Sequence, residues 1–162
     1  MYDNPVSDFL FDEVCFGEIT SFSDISTSGS GNVMQWMWNF GDGAGISPQK
    51  NPKYQYANDG SFSVSLSVIS DYGCENETTK NVMVNELPIA EFSITDACLN
   101  DFNLFQSTST IGVGDITNWY WTFGDGVTFV GDREGDHTYL TYGSFDVHLI
   151  VTSDKGCEGS IT

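Results

Sequence analysis

The chain has 162 residues, with 23 acidic against 5 basic side chains and a formal net charge of −18. That sign repels phosphate backbones and anionic bilayers, which excludes nucleic acid and anionic membrane surfaces as partners. No run of about 18 apolar residues exists, so no membrane-spanning helix is expected. No charged-then-apolar leader follows Met1, and the sequence reads as an internal piece of a secreted protein.

Taken in chain order, the first unit opens near Pro5. Ile19 and Phe22 suggest an early strand, and the serine- and glycine-rich stretch 26–32 reads as a loop. Met34 to Phe40 alternates so that Trp36, Trp38 and Phe40 share one face. Gly41-Asp42-Gly43 then makes a tight turn, because glycine reaches positive φ cheaply and aspartate bonds nearby backbone N–H groups. Phe62, Val64, Leu66 and Val68 alternate with serines, the mark of a half-buried strand. Lys80 to Val84 alternates again and reads as the last strand of the unit. Asn85-Glu86-Leu87 forms a junction without glycine, which is no floppy tether.

A shift of 83 residues superimposes the chain on itself without a gap, with 25 identities over the 65 aligned positions from Cys15 and Cys98 onward. The second unit therefore starts near Pro88, giving domains 1–86 and 87–162. Thr162 corresponds to Thr79, so the second unit is expected to lack its last strand. Short strands, turn signals and a period near 80 residues predict an all-β protein built of two tandem sandwiches.

The strongest motif is Trp38-Asn39-Phe40-Gly41-Asp42-Gly43, repeated as Trp121-Thr122-Phe123-Gly124-Asp125-Gly126. Tyr56 or Tyr139 follows, then Gly60 or Gly143, then the alternating strand. This pattern resembles the PKD domain, twice and over nearly the whole chain. The resemblance implies immunoglobulin-like β-sandwiches, found in cell-surface and secreted proteins. The paired cysteine positions, with Gly-Cys after the alternating strand, are similar to repeats in large surface proteins of Bacteroidetes. The family often carries histidine two places before the tyrosine; the second unit has His137, whereas the first has Tyr54. A residue whose counterpart cannot do the same chemistry reads as packing or turn, so His137 is expected to be structural.

No nucleophile elbow, phosphate loop or Cys/His metal spacing is present, and the chain is not expected to be an enzyme. Trp38 and Trp121 read as core. Trp36 and Trp119 are expected nearer a sheet edge, and Met37 and Tyr120 point the other way as candidates for exposed contact. No cofactor is required. Ca²⁺ at the acidic loops is the one metal the composition admits, as a hard cation that prefers oxygen ligands. Yet no calcium-loop spacing exists, and Asp132, Glu134 and Asp136 have no acidic counterparts in the first unit.

Cys15 and Cys74 lie 59 positions apart, as do Cys98 and Cys157. This regularity predicts disulfides and an oxidising compartment, and four cysteines allow three pairings. Connections in an immunoglobulin-like sandwich alternate between its two ends, which sets Cys15 and Cys74 apart. A disulfide needs Cα atoms within about 7 Å. Cys15–Cys157 across the junction is therefore favoured over Cys15–Cys74 with Cys98–Cys157. The expected role is a non-catalytic stalk or spacer in a large extracellular, cell-surface or filament protein. Its partners would be neighbouring repeats of the array or like subunits. The alternative is a carbohydrate- or protein-binding accessory module of a secreted hydrolase or adhesin.

Overall fold

The computed structural model describes residues 2–95 and 98–162; Met1, Asp96 and Ala97 lie outside it. The chain divides into two compact units, one ending at Asn85 and the other starting at Glu86.

In the first unit, β1 (Phe9–Phe11), β3 (Thr20–Asp24) and β6 (Lys53–Tyr54) form one sheet in the order β1-β3-β6. The facing sheet has the order β2-β8-β7-β4-β5, from β2 (Val14–Cys15), β4 (Val33–Asn39), β5 (Ile46–Ser47), β7 (Gly60–Ser70) and β8 (Glu75–Asn85). The chain changes sheets between β1 and β2: Phe9–Phe11 pairs antiparallel with β3, and Val14–Cys15 then pairs parallel with Val84 and Asn85. This is a two-layer immunoglobulin-like sandwich.

Alternation along β7 places Val64, Leu66 and Val68 inside with no exposure, while the intervening serines face outward. Trp38 and Phe40 line the same face, and Phe9 and Phe22 meet them from the other sheet. Phe9 stands edge-on to Trp38 with ring centroids 5.0 Å apart, the arrangement that the ring quadrupoles favour. Each such side chain contributes about 1.5–3 kcal/mol by leaving water. Lys80 closes one border of the sandwich. Its amine donates to the Phe9 carbonyl at 2.6 Å and meets the Asp8 carboxylate at 2.6 Å.

The second unit repeats the plan. One sheet has the order β13-β10-β9, from β9 (Phe92–Thr95), β10 (Asn103–Ser107) and β13 (Glu134–His137). The other has the order β12-β11-β14-β15, from β11 (Ile116–Thr122), β12 (Thr128–Val130), β14 (His148–Ser153) and β15 (Glu158–Ile161). Phe105, Trp121, Phe123, Leu149 and Val151 form its buried centre.

The expectation that the second unit lacks its last strand is corrected by β15, which pairs antiparallel with β14 from Thr152↔Glu158 to Leu149↔Ile161. The last strand begins directly after the Gly-Cys turn in both units. In the first it runs from Glu75, and the polar residues Glu75 to Thr79 are its first half. Those side chains carry no apolar alternation, so only the backbone ladder to β7 marks them as strand. In the second unit β15 (Glu158–Ile161) corresponds to this first half. Residues 143–147, the counterparts of Gly60–Val64, belong to no strand, and β14 starts at His148.

Candidate functional site

The conserved geometry between the two units is a locked turn beneath an aromatic stack. Trp38 and Trp121 are fully buried, and Phe40 and Phe123 nearly so. Trp38 Nε1 donates to the Gln49 carbonyl at 2.8 Å. Trp36 and Trp119 are half-buried, and each donates its indole N–H to the facing sheet: Trp36 to Asp24 Oδ2 at 2.8 Å, Trp119 to Ser107 Oγ at 3.1 Å. The tryptophans are thus core and cross-sheet ties rather than an exposed ring platform. Met37 is 66 % exposed, and Tyr120 is half-buried.

After the strand, Gly41 and Gly43 adopt φ of 80° and 81°, and Gly124 and Gly126 adopt 79° and 94°. Between them Asp42 Oδ1 accepts from the backbone N–H of Ala44 at 3.0 Å and of Gly45 at 2.8 Å. Asp42 Oδ2 accepts from the Tyr54 hydroxyl at 2.5 Å. The Tyr54 hydrogen bond and those backbone N–H groups hold the Asp42 carboxyl below its ordinary value. The same bond raises the Tyr54 phenol.

In the second unit Asp125 Oδ1 accepts from Val127 N–H at 3.1 Å, and Asp125 Oδ2 lies 2.7 Å from His137 Nε2. An ionised carboxylate only accepts, so the shared proton sits on Nε2. Partial burial pushes Asp125 up, but the Val127 N–H and His137 together hold it below its ordinary value. Tyr54 stacks on Phe40 at 4.0 Å, and His137 stacks on Phe123 at 4.4 Å.

Tyr56 and Tyr139 complete the lock. Each donates its hydroxyl to the carbonyl of the motif phenylalanine, Tyr56 to Phe40 at 3.1 Å and Tyr139 to Phe123 at 2.8 Å. Burial first, then the nearby carboxylate, raises both phenols. Gly60 opens β7 with φ of 123°. Gly143 stands at the corresponding place without a strand. Sequence reasoning missed the role of Tyr54, which it noted only as a departure from histidine. The signal was the shared spacing to the next tyrosine, since both rings are flat and both carry a donor at the far end.

Cys15 and Cys157 are each disulfide-bonded. Cys74 is a half-buried thiol and Cys98 an exposed one. Neither within-unit pairing is therefore formed. Among the described residues no group of three or more His, Cys, Asp or Glu side chains is placed to hold a metal ion. Asp132 and Asp136 are exposed, with Glu134, around an open groove beside Arg133.

A profile of the PKD domain matches residues 2–84 and again residues 85–162. The chain belongs to the PKD-domain family. The PKD domain is a non-catalytic immunoglobulin-like module, and this chain consists of two. It is 32 % identical over 140 residues to the pre-pro-metalloprotease PrtV of Vibrio cholerae serotype O1, covering 85 % of this chain and 15 % of that protein. Collagenase ColA of Bacillus cereus is 34 % identical over 148 residues, covering 89 % of this chain and 15 % of the collagenase. Among solved structures, the PKD1 domain of Vibrio anguillarum Epp matches with a TM-score of 0.49 and 28 % identity, over 52 % of this chain and 96 % of that domain. The chain thus spans about one seventh of the length of these curated relatives. Among the described residues, no helix is long and apolar enough to cross a membrane.

Proposed function

We propose that these PKD domains form a non-catalytic spacer segment of a large extracellular protein. The observation that carries the reading is repetition of two units, each built around its own aromatic core, across a glycine-free junction. Disulfide-bonded Cys15 and Cys157 support an oxidising compartment. The relatives, named as a metalloprotease and a collagenase, support a place in a secreted hydrolase. The test is replacement. In the parent protein, an unrelated pair of immunoglobulin-like domains of equal length should restore function lost on deleting this segment. If only the native PKD pair restores it, the spacer role is overturned.

A binding role is the second reading, favoured by a trough of about 260 Å³ on the outer face of the β4-β7-β8 region. Met37 lies in it with Trp36 and Ile69, beside Gln35, Asn39, Ser65 and Glu77, a mix of apolar surface and polar groups that suits a ligand contact. Saturable retention on a polysaccharide or fibrous protein, lost in Met37→Asp, would establish it. Retention unchanged by that substitution would remove it.

A further inference from the structure

One buried donor is treated differently in the two units. Trp38 and Trp121 are both fully buried, and each lies nearly parallel to its motif phenylalanine, at 6.5 Å and 6.4 Å. The two indoles therefore share one orientation. In the first unit the Trp38 N–H reaches the Gln49 carbonyl at 2.8 Å. In the second, Trp121 Nε1 has no hydrogen-bond partner among the described residues. A buried donor without an acceptor is costly, and native proteins leave few of them.

The surroundings of the indole differ at two positions. Asp132 stands where the first unit has Gln49, and Gly135 stands where it has Pro52. Gly135 brings no side chain over the indole edge. A Cβ placed there would lie 3.5 Å from the Phe123 ring and 3.6 Å from both the Phe129 ring and Trp121 Cδ1, the carbon bonded to Nε1. The same segment borders a groove of about 550 Å³, lined by Leu104, Phe129, Asp132, Arg133, Glu134 and Asp136. The unpartnered N–H is thus aimed at the wall that Phe129 and Asp132 form. Arg133 Nε donates to the Ser107 carbonyl at 2.7 Å, which fixes the plane of the guanidinium. Its terminal amines have no protein partner among the described residues.

We infer that this groove is a binding subsite for a neutral polysaccharide chain. The lining selects that class. Carboxylates only accept, whereas the Arg133 and Trp121 N–H groups only donate. A ligand that meets both must donate and accept at neighbouring points and offer an apolar face to Phe129 and Leu104. Sugar hydroxyls and the C–H face of a pyranose do so. An anionic chain would meet three carboxylates on a protein of net charge −18. A cationic side chain would meet the Arg133 guanidinium among them. In the assigned pose a sugar ring lies on Phe129, its hydroxyls donate to Asp132 and Glu134, and one hydroxyl oxygen accepts from Trp121 Nε1. The subsite shares with the binding role above only the class of ligand, and none of its residues lie in the trough around Met37.

The test titrates the intact chain with cellohexaose, mannohexaose and xylohexaose while NMR follows the indole N–H signals of the four tryptophans. At least one of these sugars should shift the Trp121 signal saturably, with a Kd of about 1 mM or below, and leave the other three in place. Asp132 is exposed, so Asp132→Ala should keep the thermal melt and weaken binding by about tenfold. Phe129→Leu keeps apolar bulk, loses the flat face and should weaken binding as well. Met37→Asp should leave this titration unchanged. No movement of Trp121 with any of the three sugars would overturn the assignment, as would affinity indifferent to both Asp132→Ala and Phe129→Leu. A Trp121 shift produced only by oligogalacturonate or by oligolysine would assign the groove to a charged ligand and overturn it too. Binding lost in Met37→Asp and kept in Asp132→Ala would place the sugar in the first unit, which overturns this subsite and leaves the binding role standing.

Discussion

His137 stands in the second unit where Tyr54 stands in the first, and both clamp the same aspartate. The Tyr54 hydroxyl is 2.5 Å from Asp42 Oδ2, and His137 Nε2 is 2.7 Å from Asp125 Oδ2. Each ring lies flat on the motif phenylalanine and meets the next tyrosine edge-on, at 5.0 Å for Tyr54 and 4.6 Å for His137. The position asks for a planar ring with a donor at its tip, and two chemically different residues satisfy it.

Reciprocal exchange follows from that equivalence. Tyr54→His and His137→Tyr should each change stability by less than about 1.5 kcal/mol, the cost of a conservative swap. Tyr54→Phe and His137→Phe keep the stack and lose the hydrogen bond, which costs about 0.5–1.5 kcal/mol net. Denaturant unfolding measures both pairs. A larger loss from the reciprocal swaps than from the phenylalanine variants would refute the equivalence.

Acid should loosen the turn. The Asp42 carboxyl sits below its ordinary value of 3.8 in the folded chain. Its contribution to stability is therefore present above pH 3.8 and is lost as pH falls through the lowered folded value. Asp42→Asn should flatten this part of the pH profile. Tyr54→Phe removes the largest cause of the shift, so a carboxyl titration followed by NMR should show Asp42 moving up toward 3.8. No movement would assign the shift to the backbone N–H groups alone.

The two glycines of the turn should respond unequally. Both have positive φ, but a Cβ on Gly41 would lie 2.5 Å from the Ser63 carbonyl oxygen, whereas one on Gly43 meets nothing within 4 Å. Gly43→Ala should cost about 1 kcal/mol from backbone strain alone. Gly41→Ala should cost clearly more, since the β7 backbone has to shift. Equal losses in a thermal melt would show that φ dominates and the close approach does not matter.

Thiol labelling separates the cysteines. Without reductant, Cys98 should alkylate fast, Cys74 more slowly, and Cys15 and Cys157 not at all, in line with their states and exposures. The pairing we propose is Cys15 with Cys157, as the alternation of sandwich connections favours. Non-reducing digestion and mass spectrometry should return those two peptides joined. Recovery of a Cys15–Cys74 peptide would refute both the labelling order and the pairing.

Much of this protein is legible in the sequence because burial leaves a side-chain pattern. The alternation of Phe62, Val64, Leu66 and Val68 requires a strand with one apolar face. The shared face of Trp36, Trp38 and Phe40 requires an aromatic core, and the 83-residue shift requires that both recur. Such patterns are local, so they survive without knowledge of the partner. Backbone pairing leaves no comparable mark. Glu75 to Thr79 is polar, yet it is strand because β7 lies beside it. Residues 143–147 repeat the apolar alternation of Gly60–Val64, yet they lie in no strand, so alternation alone does not settle backbone pairing. The match of Tyr54 with His137 was likewise decided by a phenylalanine and an aspartate that only the fold brings to the same ring. Composition and period fixed which residues are inside; contacts distant in sequence decided which backbone segments are paired.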